Sequence, residues 1–283
     1  MNHSTFICGR FELTLKRPLV MGIVNVTPDS FSDGAVHFSA EAATRHAHEL
    51  IAQGADILDI GGESTRPGAD PVSEDEELRR IIPVIQNLRD CGKPISIDTF
   101  KPTVMRAVLE AGADLINDIY ALRMPGALEV VAAHPNCGVC LMHMQGEPKT
   151  MQLAPVYDNI ANDVSQFLQE RKAAAVAAGI APSRICLDPG YGFGKTVQQN
   201  YQLLHEQDRL SGLHSPLLVG LSRKSMIAAI TGRSPQERVA GSIAGALAAV
   251  NRGAAIIRVH DVEQTVDALK VWAAIEQGEI HGA

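Results

Sequence analysis

The chain is poor in aromatic residues: Phe, Tyr and Trp make up 4% of its 283 residues, with a single Trp. Its 46% hydrophobic content must therefore fill a core with aliphatic side chains, and a layered α/β interior accepts branched aliphatics well. No block of Lys and Arg occurs, and the formal net charge is -7. A nucleic-acid partner is not expected from such a chain, although a few local cations could still hold a small anion. No apolar run approaches the roughly 20 residues that span a bilayer, so no membrane partner is expected. The N-terminus lacks the basic-then-apolar pattern of a secretory signal. The five cysteines are odd in number and widely spaced for a disulfide framework. Together these absences suggest a cytoplasmic protein. Cys137 and Cys140 form a Cys-x-x-Cys pair that zinc or redox chemistry could use. No second pair lies at zinc-ribbon spacing, and Cys140 sits within an apolar run, which favours buried structural thiols.

What the chain does have is a series of short apolar runs that close on polar residues. Val20–Val24 runs into Asn25, Ile57-Leu58 into Asp59, Ile95–Ile97 into Asp98, and Leu115-Ile116 into Asn117 and Asp118. Gly138–Met142 ends at His143, Ile185–Leu187 at Asp188, Leu217–Leu221 at Ser222, Arg223 and Lys224, and Ala255–Ile257 at Arg258, Val259 and His260. Eight such runs match a (β/α)8 TIM barrel, whose chemistry sits at the C-terminal ends of its strands and which commonly takes about 250 residues as one domain. A single α/β domain over 1–283 is expected, with its core at about 18–278. Helices are expected at Ser39–Gln53, after Ser73 with Glu76 as a capping box, after Pro102, and at Asp158–Ala178, Gln198–Leu210, Pro235–Asn251 and Val262–Gln277.

Three helix-to-strand junctions repeat: Gln53–Asp59, Ala111–Asn117 and Arg252–Arg258 each pass through Gly and a small residue into a buried strand. The competing doubly wound sheet lacks a Gly-x-Gly-x-x-Gly fingerprint after its first strand. Phe6–Lys16 alternates loosely, as a short hairpin-like extension lidding the barrel bottom would.

Arg258 and His260 are two apart on one strand and face the same side. A cation beside an imidazole suggests an anion site, against the plainer reading of His260 as a strand-end cap. Asn25 offers a neutral oxygen suited to Mg²⁺. Asp59, Asp98, Asn117 and Asp188 would converge in the mouth and suit a flat heterocycle bearing N–H and C=O groups, with Lys224 adding a donor. The loops Thr27–Gly34 and Gly61–Gly68 are rich in Gly, Pro and Ser and read as mobile segments over the mouth, with Phe31 and Arg66 the residues of reach. Gly190–Thr196 lacks P-loop spacing; as a turn it could set Phe193 against a planar ring.

Asn25–Gly34 and Asp59–Gly68 resemble the two signatures of the dihydropteroate synthase family, a group of pterin-binding TIM barrels. So do Asp188-Pro189-Gly190, Phe193-Gly194-Lys195, Ser222–Ser225 and Arg258–Asp261, all in order between about residues 20 and 265. The sequence departs from the family pattern at Ala35 and Tyr191. The resemblance implies a transferase of folate biosynthesis that joins (7,8-dihydropterin-6-yl)methyl diphosphate to 4-aminobenzoate. It implies pterin contacts from Asp59, Asp98, Asn117, Met142, Asp188 and Lys224, with Phe193 from the turn reading. It implies diphosphate contacts from Asn25, Thr65, Arg66, Arg258 and His260, with Mg²⁺ at Asn25. On the 4-aminobenzoate side it implies Phe31, Pro67, Ser222 and Lys224. Asp98, Lys224, Arg258, His260 and Arg66 are the expected catalytic set, and a homodimer through the late helices is expected. A methyltransferase acting on reduced folates, or a catalytically idle pterin binder, would share the barrel.

Overall fold

The computed structural model describes residues 5–26, 36–64, 71–146, 151 and 155–278. β1 (Thr5–Cys8) and β2 (Phe11–Thr14) form the antiparallel hairpin expected at the N-terminus. Gly9 makes its turn at φ 58°, where a Cβ would strike Asp114. Arg10 then anchors the hairpin, donating from Nε and Nη2 to the two carboxylate oxygens of Asp114 at 3.0 and 2.9 Å.

Strands and helices alternate from there: β3 (Leu19–Asn25), α1 (Val36–Ala52), β4 (Ile57–Gly61), α2 (Glu74–Leu88), β5 (Ile95–Asp98), α3 (Pro102–Ala111), β6 (Leu115–Asp118) and α4 (Ala127–Ala133). They continue as β7 (Gly138–Met142), α5 (Ile160–Ala177), β8 (Ile185–Asp188), α6 (Val197–His205), β9 (Leu217–Val219), α7 (Ser225–Thr231), α8 (Val239–Val250), β10 (Ala254–Val259) and α9 (Val262–Gln277). The eight strands β3 to β10 pair in parallel and close on themselves, β10 lying between β9 and β3. This is the expected (β/α)8 barrel. The repeated junctions hold: Gly54, Gly112 and Gly253 turn the chain at φ 102°, 109° and 88°, a region that favours glycine. Among the described residues, no helix is long and apolar enough to cross a membrane.

Several expectations need correction. Helices α4 and α7 were not anticipated; seven residues are too few to show a helical period. The helix expected at Gln198–Leu210 ends at His205 and continues as a 3-10 segment, and Pro235 opens a separate 3-10 turn before α8. Ser73 caps α2 by accepting from Glu76 N–H, but the Glu76 carboxylate turns to Arg79 and Arg80 at 2.7 and 2.8 Å, leaving the capping box half made.

Strand alternation sorts the core into two parts. Side chains facing out, such as Leu58, Ile97, Ile116, Leu187 and Ile257, pack under the helices. Those facing in, Leu19, Met21, Ile57, Leu115, Cys140, Cys186, Leu218 and Ile256, form a separate cluster plugged from below by Phe6 and Cys8 of the hairpin. Cys140 is thus part of the barrel floor. Burial pushes the Cys137 thiol up to about 12, as expected of a structural thiol.

Candidate active site

Two residues above the floor, on the same inward face, the chemistry changes. Ile57 is followed by Asp59, Leu115 by Asn117, Cys186 by Asp188 and Ile256 by Arg258. Register places Asp59 opposite Ser96, and Asp98 opposite both Gly61 and Asn117, so Asp59 lies one layer deeper than Asp98.

Asp59 is fully buried and is the hub of this layer. Its Oδ1 accepts from Ser96 Oγ at 2.5 Å, and its Oδ2 accepts from Asn117 Nδ2 at 3.2 Å and Arg258 Nε at 2.6 Å. Expected among the pterin contacts, it has both oxygens engaged with protein donors and orients its neighbours. Arg258 also donates from Nη2 to Asp98 Oδ2 at 2.9 Å. Burial works against the Arg258 charge, but Asp59 and Asp98 outweigh it and raise the pKa. Burial pushes the Asp98 carboxyl up to about 7 despite the Arg258 charge. Asp98 Oδ1 is buried with no hydrogen-bond partner among the described residues, a costly arrangement that a ligand donor would relieve.

His260, expected with Arg258 in the anion site, packs against Ser222. His260 Nδ1 lies 3.0 Å from Ser222 Oγ, and its backbone N–H donates to the same hydroxyl at 3.2 Å. Arg223, at φ 59°, turns aside to an ion pair with Asp261 and leaves Lys224 to face the mouth.

Across the barrel, Asp188 accepts from Gly190 N–H at 2.7 Å, and burial raises its pKa against the pull of Lys224. Lys224 donates to the Tyr191 carbonyl and stands 4.7 Å above the Phe193 ring centroid. Burial lowers its pKa to about 8, with Asp188 opposing the shift. Phe193 joins Met142, Met144, Met151, Ile119, Phe100 and Tyr120 in an apolar cluster apart from the main core. Mouth and cluster together offer polar groups on one side and a polarisable apolar wall on the other. That combination suits a planar, hydrogen-bonding ring.

Sequence reasoning missed Ser96, Met144, Met151, Lys195 and a buried ion cluster at the rim. In that cluster Lys101 Nζ donates to Glu63 Oε2 at 2.6 Å, Glu77 Oε2 at 2.7 Å and the Val72 carbonyl at 2.5 Å. A Lys and a Glu placed shortly after strand ends were the only signal. Of the expected site residues, Phe31, Thr65, Arg66 and Pro67 lie outside the described residues, as does Ala35. Asn25 ends β3 at the mouth, half-buried.

A family model described as "Pterin binding enzyme" matches residues 21–260. The dihydropteroate synthase of Neisseria meningitidis serogroup B is 53% identical over 281 residues, covering 97% of this chain and 99% of that protein. The chain belongs to the dihydropteroate synthase family. Solved family members share its fold closely. The Burkholderia cenocepacia dihydropteroate synthase, complexed with 7,8-dihydropteroate, superposes with a TM-score of 0.89 at 54% identity, covering 97% of each chain. The Xanthomonas albilineans dihydropteroate synthase with 4-aminobenzoic acid gives 0.91 at 55% identity, covering 96% of this chain and 98% of that one.

Proposed function

We propose that this chain makes 7,8-dihydropteroate, joining 4-aminobenzoate to (7,8-dihydropterin-6-yl)methyl diphosphate with release of diphosphate, as a transferase of folate biosynthesis. Near-full-length identity to dihydropteroate synthases supports the reading. The observation that carries it in the geometry is the ring of Asp98, Asn117, Asp188 and Lys224 beside the Met142 and Phe193 wall, with Asp98 Oδ1 left without a partner among the described residues.

In the reaction the methylene C–O bond breaks and diphosphate leaves with the electron pair. The 4-aminobenzoate nitrogen forms the new C–N bond and loses a proton. The amine needs no activation by a side-chain nucleophile, so the protein's work is positioning and charge. Asp98, Asn117, Asp188 and Lys224 hold the pterin edge, with Met142 and Phe193 against its faces. Asp98 also opposes positive charge that develops on the ring as the leaving group departs. Arg258 Nη1 takes part in neither of its two ion pairs, and with His260 it neutralises the departing diphosphate. Ser222, bonded to His260, lies on the 4-aminobenzoate side with Lys224. The expected roles of Thr65, Arg66, Pro67 and Phe31 over the diphosphate and 4-aminobenzoate belong to this same reading.

Asn25 fits one ligand position of Mg²⁺. It is a neutral oxygen donor at the mouth, and this ion takes few protein ligands when phosphate oxygens and water complete its shell. When bound, the ion would add positive charge against the diphosphate.

A homodimer through the late helices forms part of the proposal. Ile230 of α7 is 71% exposed, as is Ile275 of α9, and Gly241 and Gly245 keep the α8 surface low beside Ile230. Exposed apolar side chains on the late helices favour a partner surface. A cytoplasmic location completes the reading.

The decisive assay is diphosphate release from the pterin substrate with and without 4-aminobenzoate. Release stimulated by 4-aminobenzoate supports the synthase. Pterin binding without release would favour the idle binder, and methyl transfer from a reduced folate the methyltransferase. Light scattering at micromolar concentration tests the dimer, and a monomer refutes it.

A further inference from the structure

Lys195 is 2% exposed, and the reaction above gives it no part. A buried lysine is costly unless its N–H donors are met, and here all three are met by neutral acceptors. Its Nζ lies 2.9 Å from His143 Nδ1 and donates to the carbonyls of Gly190 at 2.8 Å and Phe193 at 3.0 Å. Three ammonium hydrogens thus face three acceptors, provided the imidazole carries its proton on Nε2. Burial holds the His143 ring neutral, its pKa pushed down to about 2, which keeps the Nδ1 lone pair available. Burial also pulls the Lys195 pKa down, while the nearby Asp188 charge supports the ammonium.

The two carbonyls that Lys195 holds belong to the turn that shapes the pocket. Gly190, Gly192 and Gly194 lie at φ 69°, 81° and 58°. A Cβ on Gly190 would strike the His143 carbonyl and one on Gly194 the Gln145 carbonyl, so the turn rests backbone against backbone on the segment after β7. Gly190 N–H donates to Asp188 Oδ1, the Tyr191 carbonyl receives Lys224, and Phe193 carries the ring below Lys224. Tyr157 Oη donates to the Gly194 carbonyl at 2.6 Å, and Gly192 N–H to Asn200 Oδ1 at 2.7 Å. Movement of the Gly190–Phe193 carbonyls would therefore move Asp188, Phe193 and Lys224 together.

We propose that Lys195, paired with His143, is a positioning residue of the pterin pocket, setting Asp188, Phe193 and Lys224 through the turn that joins them. This rests on the reading that those three residues bind the pterin. A Met at 195 would fill the same volume without the three hydrogen bonds. Calorimetric titration with (7,8-dihydropterin-6-yl)methyl diphosphate is the test, with Asp188→Ala as the control for the reading itself. Lys195→Met should bind the pterin about 10- to 100-fold more weakly. The 4-aminobenzoate KM at saturating pterin should change by less than the pterin affinity does, because of the three residues set by the turn only Lys224 is shared with the 4-aminobenzoate side. A merely structural role would lower the active fraction without splitting the two substrates.

His143→Leu should reproduce the pterin defect, and His143→Asn should restore binding, since its Oδ1 can occupy the place of Nδ1. If Lys195→Met does not fold, this His143 pair decides the matter. Wild-type pterin affinity in Lys195→Met or His143→Leu, with Asp188→Ala impaired, overturns the positioning role alone. Unchanged affinity in Asp188→Ala overturns the underlying pocket assignment.

Discussion

Two residues separate the floor of this barrel from its mouth, and the two layers obey opposite rules. Ile57, Leu115, Cys186 and Ile256 meet in a dry aliphatic cluster sealed by Phe6. Asp59, Asn117, Asp188 and Arg258 stand next on the same strands and the same face, and almost every contact there is a hydrogen bond or ion pair. The floor stabilises the fold through burial and close packing, and small rearrangements of shape are tolerated at modest cost. The mouth stabilises it only while every partner is present, because an unpaired buried charge costs more than the pair contributes. The short strands allow this abrupt change. With four or five residues in most of them, the third or fourth is already at the rim.

The sharpest way to break the contrast is Asp59→Ala. It removes one carboxylate from the deeper polar layer and leaves Ser96, Asn117 and Arg258 without their shared acceptor. A loss of about 3–5 kcal/mol in stability is expected from stranding a buried partner, together with collapse of turnover. Urea denaturation and the diphosphate-release assay measure the two. A stable, active variant would mean that Asp59 is not the hub its contacts describe.

Phe6→Ala probes the floor instead. Truncating a fully buried aromatic should cost about 3–4 kcal/mol through lost burial and an unfilled cavity. Both substrate KM values should be unchanged at a temperature where the variant remains folded, because the hairpin lies at the opposite end from the chemistry. A shifted KM for either substrate would show that floor packing reaches the mouth.

Arg258→Ala is expected to lower turnover by at least two orders of magnitude, about 2.7 kcal/mol of barrier. The structure adds a second consequence, since Asp59 and Asp98 lose their counter-charge. Asp98 should then hold its proton to higher pH, which carboxyl difference infrared spectra would register. Near-normal turnover would place diphosphate neutralisation elsewhere.

The barrel was legible in the sequence because each strand is a short apolar run closed by a polar residue, and because Gly54, Gly112 and Gly253 repeat one junction. The polar residues of the mouth were legible for the same reason: they sit where the runs stop. Their partners were not. Arg258 meets Asp59 across 199 residues of chain only because β10 closes on β3 and β3 pairs with β4. The depth of Asp59 depends on its register against Ser96, which alternation within one strand does not reveal. Lys195 stood in a glycine-rich turn as part of a family motif, with no role assigned to it. Its burial depends on Gly190 and Gly194 lying against the segment after β7, a contact between distant parts of the chain.

The smallest expected effect separates the layers by proton rather than by mutation. Lys224 has a pKa lowered to about 8, first by burial and further by Arg258, with Asp188 and Asp98 opposing. Its ammonium form predominates below that pH and its neutral amine above. If the ammonium donates to the pterin, the Lys224 share of affinity should weaken as pH rises through 8, by about tenfold between pH 7 and 9, apart from the separate break that Asp98 sets at about 7. Asp188→Asn removes the charge that supports the ammonium, so the Lys224 break should move to lower pH. Lys224→Met should bind weakly with no break at about 8. Floor variants such as Phe6→Ala should leave the position of the break untouched, since none of the groups that shift Lys224 lies in that layer. Titration of pterin affinity against pH in these four proteins, corrected for the ionisation of the pterin itself, measures the break directly. A break that stays in place in Asp188→Asn would mean that Asp188 and Lys224 do not act on one ligand.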